Sequence, residues 1–436
     1  MLLGGAEFMQ IHVVQSGQTL YGIARTYGIS IADIASANQI DPLRTLVIGQ
    51  ALVIPITGMY YFVQPGDSLY MIGKRFGISY TRLAQINAIH PSRPLQVGFR
   101  LYIPPAPKTP VESNAYAEAI NSRFTNVVTS SVMEYSPLLT YVAPFSFEAR
   151  PDGSLVTFDV SPVKTASAGS GAVLMMAVTN LENGRFSDTV GEAILNNVSI
   201  QDVLLDNIIE TAGEYGFQDI HFDFEFLRPE DRENYNAFLR KAAKRLHAAN
   251  LLMSTALAPK TSASQTGKWY TAHDYKVHGE VADFVVIMTY EWGYSAGPPM
   301  AVSPIGPVRE VLEYAKTEIP ANKIMMGQNL YGYDWTLPFV KGGAYARAVS
   351  PQTAISIARG NNAIIEYDDT AQAPFFYYRD ASSKQHVVWF EDARSINAKF
   401  DLLKELELRG ISYWKLGWAF PQNWLLLEDR FQITKK

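Results

Sequence analysis

Residues 219–226 read Asp-Ile-His-Phe-Asp-Phe-Glu-Phe. A strand sends successive side chains to opposite faces. Asp219, His221, Asp223 and Glu225 therefore share one face, and Ile220, Phe222, Phe224 and Phe226 the other. The apolar row can pack beneath helices. The polar row, three carboxylates and a histidine, is costly to bury without partners and so needs a reason to exist. In a closed barrel one face of each strand meets the surrounding helices and the other points inward. Active sites of parallel barrels lie at the C-terminal ends of the strands. Glu225 is nearest that end, Asp223 is one inward step below it, and His221 lies below Asp223 as a hydrogen-bonded partner. Close carboxylates raise each other's pKa, which keeps one protonated near neutrality and suits a general acid. The bland alternatives are an exposed edge strand and a metal cluster. Four large apolar residues argue against the first; seven scattered histidines and the lack of a His-Glu-x-x-His run argue against the second. No metal or cofactor is expected.

The surrounding sequence supplies the rest of a barrel. Apolar runs at 113–117, 138–145, 173–179, 252–258, 284–290, 323–331 and 411–417 alternate with helical patterns such as 200–215 and 230–249. Together with 219–226 they make eight strands, which predicts an α/β chain with a (β/α)8 TIM barrel over residues 113–430. The long gap before the last strand contains strand-like pieces at 364–367, 375–379 and 386–390, so a small α+β insertion is expected at about 336–392, between strands 7 and 8.

Ahead of the barrel the chain repeats itself. Shifted by 49 residues, Val14 to Pro55 falls on Val63 to Pro104 without a gap, pairing Gly17 with Gly66, Leu20 with Leu69, Asn38 with Asn87 and Pro55 with Pro104. Each copy reads strand, helix, helix, strand: two βααβ domains at 10–56 and 59–104. Residues 105–112 carry the end of a proline-rich run, Pro-Pro-Ala-Pro-Lys-Thr-Pro-Val at 104–111, expected to be a stiff extended linker. Met-Leu-Leu-Gly-Gly-Ala-Glu-Phe before Met9 has no basic region and too short an apolar stretch for a secretory signal, and residues 1–9 are expected to be a vector-derived leader.

The repeat resembles the LysM module, on the strength of its Gly-[Gln/Asp]-[Thr/Ser]-Leu opening, central Asn and Gly…Leu-x-Ile-Pro ending. The resemblance implies binding of N-acetylglucosamine (GlcNAc)-containing glycans such as peptidoglycan and chitin. It places the groove between loops 17–20 and 40–43 in the first copy and between 66–69 and 89–92 in the second. Gly17, Gln18, Thr19, Gly66, Asp67 and Ser68 become candidate contacts. Tethered weak modules hold a polymer more tightly than either alone.

The strand at 219–226 resembles the fourth strand of the family 18 glycoside hydrolases, Asp-x-x-Asp-x-Asp-x-Glu. Asp223 and Glu225 match the last two acidic positions, while Gln218 and His221 stand where the first two aspartates would be. Met288–Tyr290 followed by Glu291 is similar to the family's Met-x-Tyr-Asp ending of strand 6, Leu330–Trp335 to its strand 7 ending, and Trp414 to its tryptophan floor under the sugar. The resemblance implies a mechanism in which the substrate's own 2-acetamido oxygen attacks the anomeric carbon. Glu225 would protonate the leaving oxygen, Asp223 orient the acetamido N–H, and Tyr290 hold the acetamido oxygen. Trp414, Tyr331, Asp334, His221 and Met288 would bind or shape the sugar site. Two LysM modules before such a barrel, with His-Phe-Asp-Phe-Glu at 221–225, further resemble the spore-cortex-lytic N-acetylglucosaminidases of endospore formers. That implies cleavage after GlcNAc in cortex peptidoglycan or its fragments during germination, by a protein placed in the outer layers of the spore. A LysM-targeted chitinase and an inactive, lectin-like barrel are the alternatives.

Composition narrows the partners. The chain has 436 residues, no cysteine and a net charge of −5. Disulfide scaffolds, thiolate metal sites and cysteine nucleophiles are excluded. Bulk charge gives no footing for nucleic acid, and the longest pure apolar run, Ala172 to Val178, is far below the roughly 20 residues of a membrane span. A repeat region near +3 ahead of a remainder near −8 favours contact between the modules and an anionic wall polymer. The expected partner is the peptidoglycan glycan strand, met by a monomer through the LysM modules and the barrel cleft.

Overall fold

The computed structural model describes residues 9–436. The expected leader lies outside them except for Met9, whose backbone N–H donates to Asp429 Oδ2 at 2.5 Å. Eight parallel strands close on themselves: β1 (Thr109–Glu118), β2 (Tyr141–Phe145), β3 (Val173–Thr179), β4 (Asp219–Asp223), β5 (Leu252–Leu257), β6 (Phe284–Ile287), β7 (Ile324–Asn329) and β8 (Gly410–Trp414). Each pairs with the next, β8 pairs with β1, and no edge is left in the ring. Strands covered on both faces read as near-continuous apolar runs, as in Val-Leu-Met-Met-Ala-Val-Thr of β3, every residue of which is buried. Low in the barrel the interior is filled by Tyr141 stacked on Phe284 at 5.1 Å, with Val173, Met175 and Met325.

Outside, Phe222 and Phe224 meet helix Arg232–Ala248: Phe222 lies edge-on to Phe238 at 5.3 Å and Phe224 is stacked with Tyr235 at 6.0 Å. The apolar face of 219–226 thus packs as expected through Phe224 but not through Phe226. β4 stops at Asp223, and Phe226 has a φ of 53° and is 43% exposed. The cause is local. Asn180 takes both backbone groups of Glu225, accepting from its N–H and donating to its C=O at 2.9 Å each. The chain therefore leaves the ladder and turns Phe226 out onto Trp269, stacked at 5.9 Å.

Between β7 and β8 lies the insertion, a five-stranded antiparallel sheet built from Gly332–Thr336, Arg347–Val349, Glu366–Asp368, Ala373–Arg379 and Gln385–Trp389, with helix Pro351–Gly360 on it. It begins at Gly332, before the expected 336, because Gly332–Thr336 pairs with Gln385–Trp389 rather than continuing β7. The proline-rich stretch also differs from a free spacer. Thr109–Val111 already belongs to β1 and pairs in parallel with Phe431–Ile433, a position at a strand's start where proline's missing N–H is tolerated.

Each βααβ domain folds around its repeat signature. Asn38 donates to Ile34 O and Val53 O and accepts from Val53 N–H at 2.8–2.9 Å, tying the second helix to the closing strand. Asn87 repeats this with Leu83 and Tyr102. The first domain is not a free bead. Val47 is buried in the insertion's core, and Ala51 and Val53 are buried with the barrel's. Ile365 N–H donates to Ile48 O at 2.9 Å, Arg359 to Thr45 O at 2.9 Å and Gln352 to Asn38 O at 2.6 Å. The second domain rests on the first, with Arg100 donating to Thr26 O at 3.3 Å and Tyr60 N–H donating to Gln10 Oε1 at 3.1 Å.

Candidate active site

The barrel's C-terminal mouth gathers the acidic row and its aromatic surround. Asp223 ends β4, and Glu225 stands two residues beyond, both nearly buried. Glu225 is clamped from two sides. Asn180 holds its backbone, and His273 donates from Nε2 to the neighbouring Phe224 O at 2.9 Å. The His273 tautomer is fixed because Nδ1 accepts from Ala258 N–H at 2.8 Å. Burial then pushes the His273 pKa down to about 4, so the clamp stays neutral.

The Glu225 carboxyl is held well above the ordinary carboxylate range, first by burial and then by the Asp223 charge, with the Trp269 indole N–H pulling the other way through a 2.5 Å hydrogen bond to Oε2. Burial also raises Asp223. Both buried carboxyls thus resist ionisation, and a protonated Glu225 is the state a general acid needs.

Tyr290 and Met288 are buried in one cluster with Tyr331, and Trp269 and Trp414 pack against it. Tyr290 depends on a glycine across the ladder: a Cβ on Gly327 of β7 would lie 2.5 Å from Ile287 O and 3.0 Å from the Tyr290 ring. Trp414 is half-buried, with Phe145 and Tyr116 set edge-on to it at 4.8 and 5.4 Å. Tyr331 donates its hydroxyl to Glu291, joined by Tyr333 at 3.0 Å. A cavity of about 230 Å³ opens beside Trp269, bounded by Tyr290, Glu291, Trp292 and Pro259.

Not every expected residue joins this group. Asp334 sits in the insertion sheet, where its carboxylate accepts from Tyr378 at 2.7 Å and pairs with His386 Nδ1 at 2.9 Å. His221 is fully buried below Asp223, between Tyr116 and Ser254. Trp269, His273, Tyr116 and Ser254 are candidate-site residues that the sequence pattern did not single out, and Asn180, whose contact with the sugar the sequence leaves open, holds the backbone of Glu225. Among the described residues no three histidines or carboxylates converge to hold a metal ion, and no helix is long and apolar enough to cross a membrane.

In the βααβ domains the candidate side chains build their loops. Gln18 Oε1 accepts from Gln15 N–H, Thr19 caps helix Leu20–Tyr27, Asp67 accepts from Gln64 N–H and Tyr61, and Ser68 caps helix Leu69–Arg75. Gly17 and Gly66 take φ of 79° and 85°, the left-handed region that the turns require. In the second domain both expected loops border one groove of about 450 Å³, with Asp67, Ser68 and Tyr70 on one side and Pro91, Ser92 and Arg93 on the other.

Comparison with known proteins agrees with this geometry. Residues 151–418 match the glycosyl hydrolases family 18, and residues 12–55 and 61–104 each match the LysM domain. The chain belongs to glycosyl hydrolase family 18 and carries two LysM domains at its N-terminal side. It is 63% identical over 428 residues to the cortical fragment-lytic enzyme of Bacillus subtilis (strain 168), covering 98% of this chain and 99% of that one. It is 52% identical to the enzyme of the same name from Bacillus anthracis, covering 98% and 100%. The crystal structure of the spore cortex-lytic enzyme SleL of Bacillus megaterium QM B1551 superposes with a TM-score of 0.92 at 54% identity, covering 98% of this chain and 99% of that one.

Proposed function

We propose that this chain is a peptidoglycan N-acetylglucosaminidase that hydrolyses the β-1,4 bond after GlcNAc in spore cortex peptidoglycan or its fragments, by substrate-assisted retaining catalysis. The observation that carries the reading is the buried Asp223–Glu225 pair at the barrel mouth, both raised in pKa and flanked by Tyr290 and Trp414. Full-length likeness to enzymes named for lysing cortical fragments supports the substrate class.

The steps follow from the groups present. The sugar stacks on Trp414. Ionised Asp223 accepts from the acetamido N–H, Tyr290 donates to the acetamido oxygen, and that oxygen attacks the anomeric carbon as a preplaced neighbour. Glu225 gives its proton to the leaving oxygen. The bond to the leaving group breaks, an oxazolinium ion forms, and Glu225, now ionised, takes a proton from the water that opens it. Family 18 enzymes stand outside the two-carboxylate retaining scheme for this reason. The sugar on the non-leaving side must own a free acetamido group. A muramic lactam has none, so the cut falls after GlcNAc. The LysM grooves hold the glycan strand, and the protein acts in the outer layers of the spore.

The test is mass spectrometry of products released from purified cortex fragments. Fragments ending in reducing GlcNAc, with poor turnover of chitin oligomers, are expected. Muramic ends, or chitin oligomers as the better substrate, would refute the assignment. Glu225→Gln should lower turnover by roughly 10²–10⁴-fold, the usual contribution of a general acid, while leaving binding intact. Unchanged turnover would remove Glu225 from its role.

A further inference from the structure

Below Asp223 a row of hydrogen bonds runs down the barrel interior to a second buried carboxyl. Tyr116 Oη lies 2.8 Å from His221 Nε2, His221 Nδ1 lies 2.8 Å from Ser254 Oγ, and Ser254 donates to Asp219 Oδ2 at 2.6 Å. At the upper end Asp223 is the charge that acts most strongly on the Tyr116 hydroxyl, and Asp223 Oδ1 is buried with no hydrogen-bond partner among the described residues. Asp223 and Tyr116 are not hydrogen-bonded in this structure, so a relay through them requires that carboxyl to turn onto the Tyr116 hydroxyl. Asp219, His221, Ser254 and Tyr116 are all inaccessible to solvent or nearly so. Asp219 and Ser254 have no part in the proposed chemistry at the mouth.

The direction of the row is fixed by its lower end. With Asp219 ionised, Ser254 donates to it, so Ser254 Oγ accepts from His221 Nδ1–H. His221 is neutral, burial having pushed it down to about 3, so its single proton is on Nδ1. Nε2 then accepts the Tyr116 O–H.

We propose that Asp219 is the proton store of Asp223, reached through Tyr116, His221 and Ser254. The transfer balances. A protonated Asp223 gives its proton to Tyr116 Oη, the Tyr116 proton passes to His221 Nε2, the Nδ1 proton passes to Ser254, and the Ser254 proton passes to Asp219. Four O–H or N–H bonds break and four form. Asp223 ends ionised, as the acetamido N–H requires, and Asp219 ends neutral. His221 changes tautomer and never carries charge. The return of the sequence reprotonates Asp223 when Glu225 has given its proton away.

The surroundings allow this. Burial raises Asp219 to about 7, and Asp283, Glu112 and Arg409 are the charges that face it; Tyr141 is its aromatic neighbour. Asp223 faces Glu225, Tyr116, Tyr290 and Tyr235. Neither strand paired with β4 brings a competing ionisable group: β3 opposes it with Met175–Thr179 and β5 with Leu252–Thr255. Burial raises both carboxyls, so either can hold a proton near neutrality. Asp219 and Ser254 never touch the sugar; they act through Tyr116.

The inference rests on the proposed glycosidase reading, so the test runs Glu225→Gln beside Ser254→Ala, Ser254→Thr and Asp219→Asn on purified cortex fragments. Ser254→Ala cuts the wire and Asp219→Asn removes the store. Each should lower kcat at least tenfold with KM within twofold, and should turn a bowed proton inventory in mixed H2O/D2O into a straight one. Ser254→Thr keeps the hydroxyl and should restore both. The relay is wrong if Ser254→Ala keeps the wild-type kcat and inventory, or if Ser254→Thr is as impaired as Ser254→Ala. Turnover by Glu225→Gln would instead overturn the glycosidase reading itself. Should Asp219→Asn fail to fold, the Ser254 pair decides the matter alone.

Discussion

Trp269 offers a direct measure of how the protein tunes Glu225, the proposed acid. Its indole N–H is the side-chain donor to Glu225 Oε2, at 2.5 Å, and it opposes the burial and the Asp223 charge that raise the Glu225 carboxyl. Trp269→Phe removes the donor and keeps a ring to stack on Phe226. A hydrogen bond to a charged acceptor contributes roughly 1.5–3 kcal/mol, and one pKa unit corresponds to about 1.4 kcal/mol, so its loss should raise Glu225 by about 1–2 units. Trp269 is half-buried and water can replace part of the donor, which favours the lower end, about one unit. In the proposed mechanism Glu225 must be protonated to act, so activity falls as pH rises through its pKa. The basic limb of kcat/KM, measured on soluble cortex fragments, should therefore move up by about one unit while the acid limb stays. Stability has a matching signature. The indole stabilises the ionised carboxyl far more than the neutral one, so wild type and variant should melt together at acidic pH and separate as pH rises through the Glu225 pKa. A basic limb that stays put or moves down, in a variant that melts like wild type at acidic pH, would refute the argument.

Four further outcomes are expected. Asp219 is raised to about 7 from an ordinary 3.8; the unfolded chain releases its proton before the folded one does, so stability should fall as pH rises from about 4 to about 7, by at most about 4 kcal/mol. Denaturant melts of Asp219→Asn should lack that slope, and a wild-type slope in the variant would assign it to other groups. Asn38→Ala removes the side-chain partner of both the Val53 N–H and the Val53 C=O in a domain seated on the barrel, and should lower whole-protein stability by roughly 2–4 kcal/mol. Asn87→Ala should loosen the second domain, weakening pelleting with insoluble peptidoglycan while the barrel melts as before. Gly327→Ala should displace the Tyr290 ring and lower kcat more than tenfold; unchanged kcat would show that Tyr290 tolerates the shift.

The barrel was legible because its strands are covered on both faces and so read as apolar runs of nearly the right length. β3 is the clearest case, with the same limits in sequence and structure. The ends were less legible where side chains replace the ladder. The alternation in 219–226 predicts a strand through Phe226, yet Asn180, forty-five residues upstream, takes the backbone of Glu225 and ends the ladder at Asp223. Likewise the prolines of 104–110 say that the chain is extended, but not that Phe431–Ile433 lies alongside to make three of those extended residues a strand. Propensity speaks of a residue's own backbone; its partner is a matter of tertiary structure.

The same division runs through the site. The candidate catalytic residues carry signals of their own: alternation picks out Asp223 and Glu225, and resemblance to the family's strand endings picks out Tyr290 and Trp414. Residues that hold them carry none. His273 earns its place by donating to Phe224 O from a loop, and Trp269 by reaching Glu225 across the mouth; nothing in their neighbours in sequence marks either one. The seating of the first LysM domain was hidden for a related reason. Gly49 has a counterpart in Gly98, and the repeat explains both as turn glycines. Only Gly49 also meets the insertion: a Cβ there would lie 1.8 Å from Ile365 O, whereas at Gly98 it would meet nothing within 4 Å. One glycine thus satisfies a turn, and its twin satisfies a turn and a close backbone contact. Alanine at both should separate the two demands. Both substitutions strain a left-handed φ by similar amounts, about 1 kcal/mol, but Gly49→Ala must also push the domain off the insertion. If the first LysM domain is held by that contact, Gly49→Ala should increase hydrogen exchange at Ile365 and along helix Pro351–Gly360, and Gly98→Ala should not. Equal exchange in the two variants would mean that the seat does not depend on that contact.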